Sequence, residues 1–302
     1  MFNKIIAASL PYMPKRLVWI FSKRYIAGET INDAIKASQD LNAQGIKVTI
    51  DLLGEFIEDL NQATENRDAY LNIIEAFEKN KIDGNYSVKP TFFGLLIDPE
   101  ACYENIRTVV AKAAEYNNFI RIDMEDSSCV DKEIDIFRRL KKEFPNNVGL
   151  VIQAYLRRTF SDINNMLDIK KETSLNFRLC KGIYVEPKEV AFKKYEEVNE
   201  NYIKNLDFIL KNGIYPGIAT HDKNLIEAAY DLLEKYNVPK DKYEFQMLYG
   251  VTPELRQTIL DKGHNMRVYI PFGKDWFGYS TRRLKENPKM TMLIIKALFN
   301  RG

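Results

Sequence analysis

Met266-Arg-Val-Tyr269-Ile-Pro-Phe-Gly273 runs on almost directly into Trp276-Phe-Gly-Tyr279-Ser-Thr-Arg282-Arg283-Leu-Lys-Glu286, and the two halves of this stretch together decide the fold. The first half is apolar and ends at a glycine, the pattern of a short buried strand. The second half reads as a helix. Tyr279 lies three and four residues before Arg282 and Arg283, and Glu286 four and three after them, so all four share one polar face. A helix that begins where a buried strand stops is the unit of α/β folds, which keep their ligands at that junction. Two adjacent guanidiniums can grip one carboxylate from two directions, Tyr279 adds a flat wall with a hydroxyl, and Glu286 can hold an arginine in place. A solvated helix face would show the same Arg-Arg pair, so the weight falls on the strand before it.

Upstream, the same unit recurs. A helix over 30–42 stops at Gly45, and the β-branched run 45–55 then reads as a strand ending in acidic residues, followed by a helix over 66–81. Strands over 86–91, 119–125 and 148–154 lead into helices from Pro99, about Asp131 and Ser161. Those over 176–182, 216–221 and 243–248 lead into a long helix from Pro187 and helices from Lys223 and Pro253. Eight such units predict a closed (βα)8 TIM-type barrel over 45–302 behind an N-terminal helical arm over 1–44. The alternative is an open doubly wound sheet. That fold announces itself with a glycine-rich phosphate turn after its first strand, and Asp51-Leu-Leu-Gly-Glu55 is not one.

Composition narrows the function. The 302 residues are 45% hydrophobic and 28% charged, enough for a large core. Lys plus Arg number 44 against 42 Asp plus Glu, a net charge of +2, which gives no case for nucleic acid. Three cysteines without CxxC spacing argue for a reducing, cytoplasmic setting, and two histidines exclude a histidine-rich metal centre, so no metal is expected. No segment has the roughly 18 apolar residues of a membrane span, although the basic, apolar N-terminus leaves peripheral membrane contact open.

In a barrel the chemistry collects at the C-terminal strand ends. Those ends carry Glu55, Lys89, Asp123, Gln153, Arg178 with Lys181, Thr220 with His221, Gln246 and Tyr269. The set is cationic on balance once Arg282 and Arg283 are added, which suits an anionic cofactor and an anionic substrate. In Arg178-Leu-Cys-Lys181-Gly182, the glycine permits close backbone approach while Lys181 can meet a phosphate. His221 can hydrogen-bond or stack on a cofactor or serve the structure alone, and His264 is expected to be solvated.

These motifs resemble a known family. Arg24-Tyr-Ile-Ala-Gly-Glu-Thr30, Asp51-Leu-Leu-Gly-Glu55, Ser87-Val-Lys89-Pro-Thr91, Ile122-Asp123-Met-Glu-Asp126, Arg178-Leu-Cys-Lys-Gly182, Ala219-Thr-His-Asp222, Glu244-Phe-Gln-Met-Leu248 and Tyr279-Ser-Thr-Arg-Arg-Leu-Lys-Glu286 are similar, in order, to the single-function bacterial proline dehydrogenases. The resemblance implies a distorted (βα)8 barrel holding FAD, which oxidises L-proline to Δ1-pyrroline-5-carboxylate, the first step of proline degradation to glutamate. It implies electron transfer to a quinone and a separate pyrroline-5-carboxylate dehydrogenase downstream. Arg282, Arg283 and Lys89 would bind the proline carboxylate, and Tyr269, Tyr279 and Leu248 would pack its ring. Asp123 and Arg178 would take the catalytic positions, Arg178 beside the flavin N5. Met124, Gln153, Lys181, Gly182, Ile183, Thr220, His221 and Gln246 would contact FAD, and Glu55 would gate the site by pairing with Arg282. Ile183 stands where relatives often carry alanine. Two rivals remain at this stage: a barrel lyase using Lys89 as a Schiff-base nucleophile, and a non-catalytic sensor of small anions.

Overall fold

A computed structural model describes residues 18–19, 22–54 and 56–280. Within them the chain runs α1 (Ile31–Asn42), β1 (Lys47–Leu52), α2 (Leu60–Lys79), β2 (Gly84–Val88), α3 (Pro99–Glu115), β3 (Ile120–Ile122), α4 (Val130–Glu143), β4 (Val148–Gln153), two short helices α5 (Thr159–Asn165) and α6 (Leu167–Lys170), β5 (Asn176–Cys180), α7 (Tyr195–Lys211), β6 (Tyr215–Ala219), α8 (Lys223–Lys235), β7 (Glu244–Leu248), α9 (Pro253–Asp261) and β8 (Met266–Phe272). The strands close in sequence order into a parallel barrel, with β8 pairing back onto β1 from Lys47↔Arg267 to Leu52↔Phe272.

The helices start where local chemistry starts them. Thr30 and Asp33 form a reciprocal capping box on α1, Asp59 caps α2, Asp98 caps α3 with Pro99 in its first turn, and Asp222 caps α8. The caps on α2, α3 and α8 start each helix shortly after a strand end. The helix expected from Pro187 instead begins at Tyr195. In between, Ala191 bridges Leu156, Phe192 N–H donates to the Tyr155 carbonyl, and the Arg157 guanidinium covers the Phe192 ring. Tertiary pairing takes this stretch from the helix that Pro187 signals, and leaves a loop along the barrel mouth.

Strand side chains divide by parity. Val48, Ile50, Tyr86, Val88, Ile120, Ile122, Leu150, Ile152, Phe177, Leu179, Ile218, Phe245, Val268 and Ile270 belong to the apolar layer between strands and helices. The alternate positions face the lumen, and most of them are polar. Thr49 donates to Asn85 at 2.5 Å, Arg121 reaches across to the Asn176 carbonyl at 2.8 Å, and Arg267 meets Glu244 at 2.7 Å. A Cβ on Gly149 would lie 2.5 Å from the Arg121 guanidinium, so glycine there leaves room for it. His264, expected to be solvated, is half-buried instead. It stacks on Tyr230 and hydrogen-bonds Tyr243 at 2.7 Å. A second apolar cluster of Val18, Tyr25, Ile26, Leu53, Trp276 and Tyr279 joins the described N-terminal residues to the helical turn over 276–280.

Candidate active site

At the C-terminal ends of the strands lies a cavity of about 840 Å³. Lys89, Asp123, Met124, Gln153, Arg178, Lys181, Gly182, Ile183, Thr220, His221, Gln246, Leu248, Tyr269 and Tyr279 all line it, so the barrel brings together every candidate among the described residues. Glu55, Arg282, Arg283 and Glu286 lie outside the described residues.

The floor is one hydrogen-bonded network. Arg178 gives one N–H to Asp123 at 2.8 Å and another to the Gln246 amide oxygen at 2.8 Å. Asp123 also accepts from Ser87 at 2.5 Å and from the Tyr269 hydroxyl at 2.9 Å. Arg178 lies over the Tyr269 ring with its centre 5.1 Å from the ring centroid, a cation–π contact. Lys89 extends from the end of β2 and donates to Asp51 at 2.6 Å and to Tyr269 at 3.3 Å, with Asp123 3.8 Å away.

Asp51 and Ser87 were not among the sequence candidates. The signal for Asp51 was present: it alternates with Val48 and Ile50 in the period-two pattern of β1, but the strand was expected to run on to Glu55. It stops at Leu52, which makes Asp51 the residue that faces the cavity. Burial pushes the Asp51 carboxyl up to about 6, with Asp123 adding to the rise and Lys89 opposing it. Burial likewise pushes the Tyr269 hydroxyl well above its ordinary range, and the Asp123 and Asp51 charges add to that, so it remains a proton donor.

The rim is built differently. Gln153 donates to the Met124 and Glu125 carbonyls at 3.2 and 2.7 Å and so fixes the turn after β3. His221 accepts from the Leu248 amide at 3.0 Å through Nε2, which leaves the proton of the neutral ring on Nδ1. Thr220 accepts from the Asp222 amide at 3.1 Å. Asp222 in turn takes Lys181 at 2.6 Å, Tyr195 at 2.5 Å and Asn199 at 3.2 Å. Burial raises its carboxyl, yet these three donors outweigh burial and hold it at about 2. Gly182 sits at φ 106°, and a Cβ there would fall 2.1 Å from the Tyr155 ring. Beyond it Ile183 is 47% and Val185 100% exposed, large apolar side chains left uncovered at a cavity edge.

Chemically, the site pairs a floor of matched charges, Lys89 and Arg178 against Asp51 and Asp123, with apolar walls. Among the described residues no group of three or more His, Cys, Asp and Glu is arranged to hold a metal. None of their helices is long and apolar enough to cross a membrane.

The proline dehydrogenase family model matches residues 34–294. The chain is 38% identical over 277 residues to proline dehydrogenase 2 of Bacillus subtilis strain 168, covering 91% of this chain and 89% of that one. It is 36% identical over 290 residues to the proline dehydrogenase of Deinococcus radiodurans, covering 95% and 92%. The crystal structure of proline utilization A (PutA) from Bdellovibrio bacteriovorus, inactivated by N-propargylglycine, is similar with a TM-score of 0.83 and 28% identity, over 88% of this chain and 32% of that longer one. The chain belongs to the proline dehydrogenase family.

Proposed function

We propose that this member of the proline dehydrogenase family oxidises L-proline to Δ1-pyrroline-5-carboxylate with FAD and a quinone as acceptors. The observation that carries the reading is the joining of the two lines above: near-complete alignment to proline dehydrogenases, and one cavity lined by every described candidate residue. The cavity fits a flavin in size and character. Its volume lies within the roughly 300–1,000 Å³ of small-molecule sites. Met124, Val151, Met247 and Leu248 supply apolar walls for a flat ring, and Arg178 and Lys181, balanced by Asp123 and Asp222, supply charged N–H donors along them. The uncovered Ile183 and Val185 give such a group an apolar edge to cover.

In this reading Lys89, Arg282 and Arg283 hold the proline carboxylate, and Tyr269, Tyr279 and Leu248 confine the pyrrolidine ring. Asp123 and Ser87 fix Arg178, whose charge would stabilise a flavin bound here as it gains electrons. The substrate amine loses its proton, to water or to Asp123, before hydride departs. When bound, a flavin would supply the two-electron acceptor for the hydride equivalent from C5, with a quinone as the onward acceptor. Glu55 pairs with Arg282 to close the mouth, and the N-terminal arm over 1–44 lets a cytoplasmic enzyme touch the membrane surface where quinones lie. A separate pyrroline-5-carboxylate dehydrogenase consumes the product.

The test is the visible spectrum of the purified protein under anaerobic conditions. A yellow chromophore that bleaches on adding L-proline is expected. A colourless protein that forms a borohydride-trapped lysine adduct would make it a Schiff-base enzyme, and a yellow protein that binds proline without bleaching would make it a sensor.

A further inference from the structure

Below the Arg178 layer the lumen holds a second set of charges that the reaction does not use. Glu244, 3% exposed, accepts from Arg267 and from the Gln246 amide nitrogen at 2.7 Å each, through the same oxygen. Burial acts to raise the Glu244 carboxyl, but the Arg267 charge and these hydrogen bonds hold it below its ordinary value, so it is ionised. An ionised carboxylate can only accept. Gln246 must therefore turn its amide nitrogen down to Glu244, and its oxygen is left pointing up, where Arg178 donates to it at 2.8 Å.

The reverse orientation would set an amide N–H₂ against a guanidinium, two donors facing each other with no acceptor between them. The backbone beside Gln246 is cut to suit. A Cβ on Gly217 would lie 2.5 Å from the Gln246 amide nitrogen and 3.6 Å from the Arg178 Cα, so only glycine on β6 lets the glutamine lie across the lumen between its two partners. Arg267 anchors the lower end by a further bond to the Val48 carbonyl at 2.7 Å.

The geometry points to Glu244 as a positioning residue for the oxidation: its charge sets the direction of the Gln246 amide, which holds the Arg178 guanidinium in the orientation the cavity floor requires. Glu244 touches neither the cavity nor Arg178, so its influence travels through one amide. The inference rests on the proposed role of Arg178.

Glu244→Gln and Gln246→Met test it together, the second leaving the Glu244–Arg267 pair intact. Both variants are expected to slow flavin reduction by proline about tenfold, the worth of one charge-assisted hydrogen bond, with the proline KM within about twofold of wild type. Placed in an Arg178→Gln background, either change is expected to add nothing, because the group it acts through is gone. An unchanged rate in Gln246→Met, or a fall of undiminished size in the Arg178→Gln background, overturns the proposal. If Glu244→Gln does not fold, Gln246→Met decides alone by the same two results. A crystal structure of Gln246→Met reads the same point without any flavin chemistry. Arg178 in more than one rotamer is expected, and a single Arg178 rotamer superposing on wild type overturns the inference whether or not the protein oxidises proline.

Discussion

Replacing Asp51 by Asn separates two things its carboxylate does. The side chain is 1% exposed and donates nothing while ionised; it takes Lys89 at 2.6 Å and stands near the Asp123 charge. In the unfolded chain it titrates at its ordinary 3.8, and in the fold at about 6. The folded state therefore binds this proton more tightly. The group's contribution to stability is fully present below about pH 4 and is lost as pH rises through about 6, a swing of about 3 kcal/mol for a shift of about two units. Urea unfolding of wild type and Asp51→Asn at matched pH values measures it, because groups that do not interact with Asp51 cancel in the difference. Relative to the variant, wild type should lose about 2 kcal/mol between pH 4 and pH 7. Activity should move the opposite way. Protonating Asp51 removes the anion that holds Lys89 in place, so wild-type kcat/KM should fall below about pH 6, while the variant should be slow at pH 7 and nearly flat through that window. A stability difference that does not change between pH 4 and pH 7 would refute the burial argument. An acid limb that survives in Asp51→Asn would assign it to another group.

Gly182→Ala should cost about 2–5 kcal/mol, from the strain of a positive φ plus the overlap with Tyr155, and should lower flavin content before the melting temperature fails; thermal unfolding with flavin absorbance checks this, and wild-type values in both would show that the turn is not required. Arg282→Met and Arg283→Met should each raise the proline KM between about tenfold and about a hundredfold with flavin content intact, each losing one charge-assisted bond to the carboxylate. Steady-state kinetics at fixed flavin occupancy reads that result, and an unchanged KM in both removes them from the substrate site.

The strand–helix order was legible because its punctuation is local: Thr30 with Asp33, Asp98 before Pro99, and Asp222 before α8 cap helices through bonds spanning only two or three residues. Pro187 fails as a helix start for the complementary reason. It offers the same signal, but the residues after it find partners at 155–157, and no local pattern reports a bridge such as Leu156↔Ala191.

Charged residues inside strands pose a harder problem, and it falls on the functional layer. Arg121, Glu244 and Arg267 alternate with apolar neighbours, and a half-exposed sheet with one wet face would show that pattern too. Only closure of β8 onto β1 turns the wet face inward and makes it a lumen, where each charge must find a partner or bear the cost of burial. Arg121 shows that constraint at its limit: burial, aided by the Arg178 and Arg267 charges, pushes its guanidinium down to about 9, although it still bonds Asn176 through two nitrogens. Three arginines in one lumen need anions above and below, and Asp123 and Glu244 occupy those places, each bonded to one of the three. Removing either carboxylate would leave its arginine buried without its anion, a larger loss than deleting an apolar side chain of the same size. Asp123, which the strand ends already offer as a candidate, thus both orients Arg178 and makes its burial tolerable, whereas Glu244 lies one layer down with Arg267, out of reach of a reading confined to strand ends.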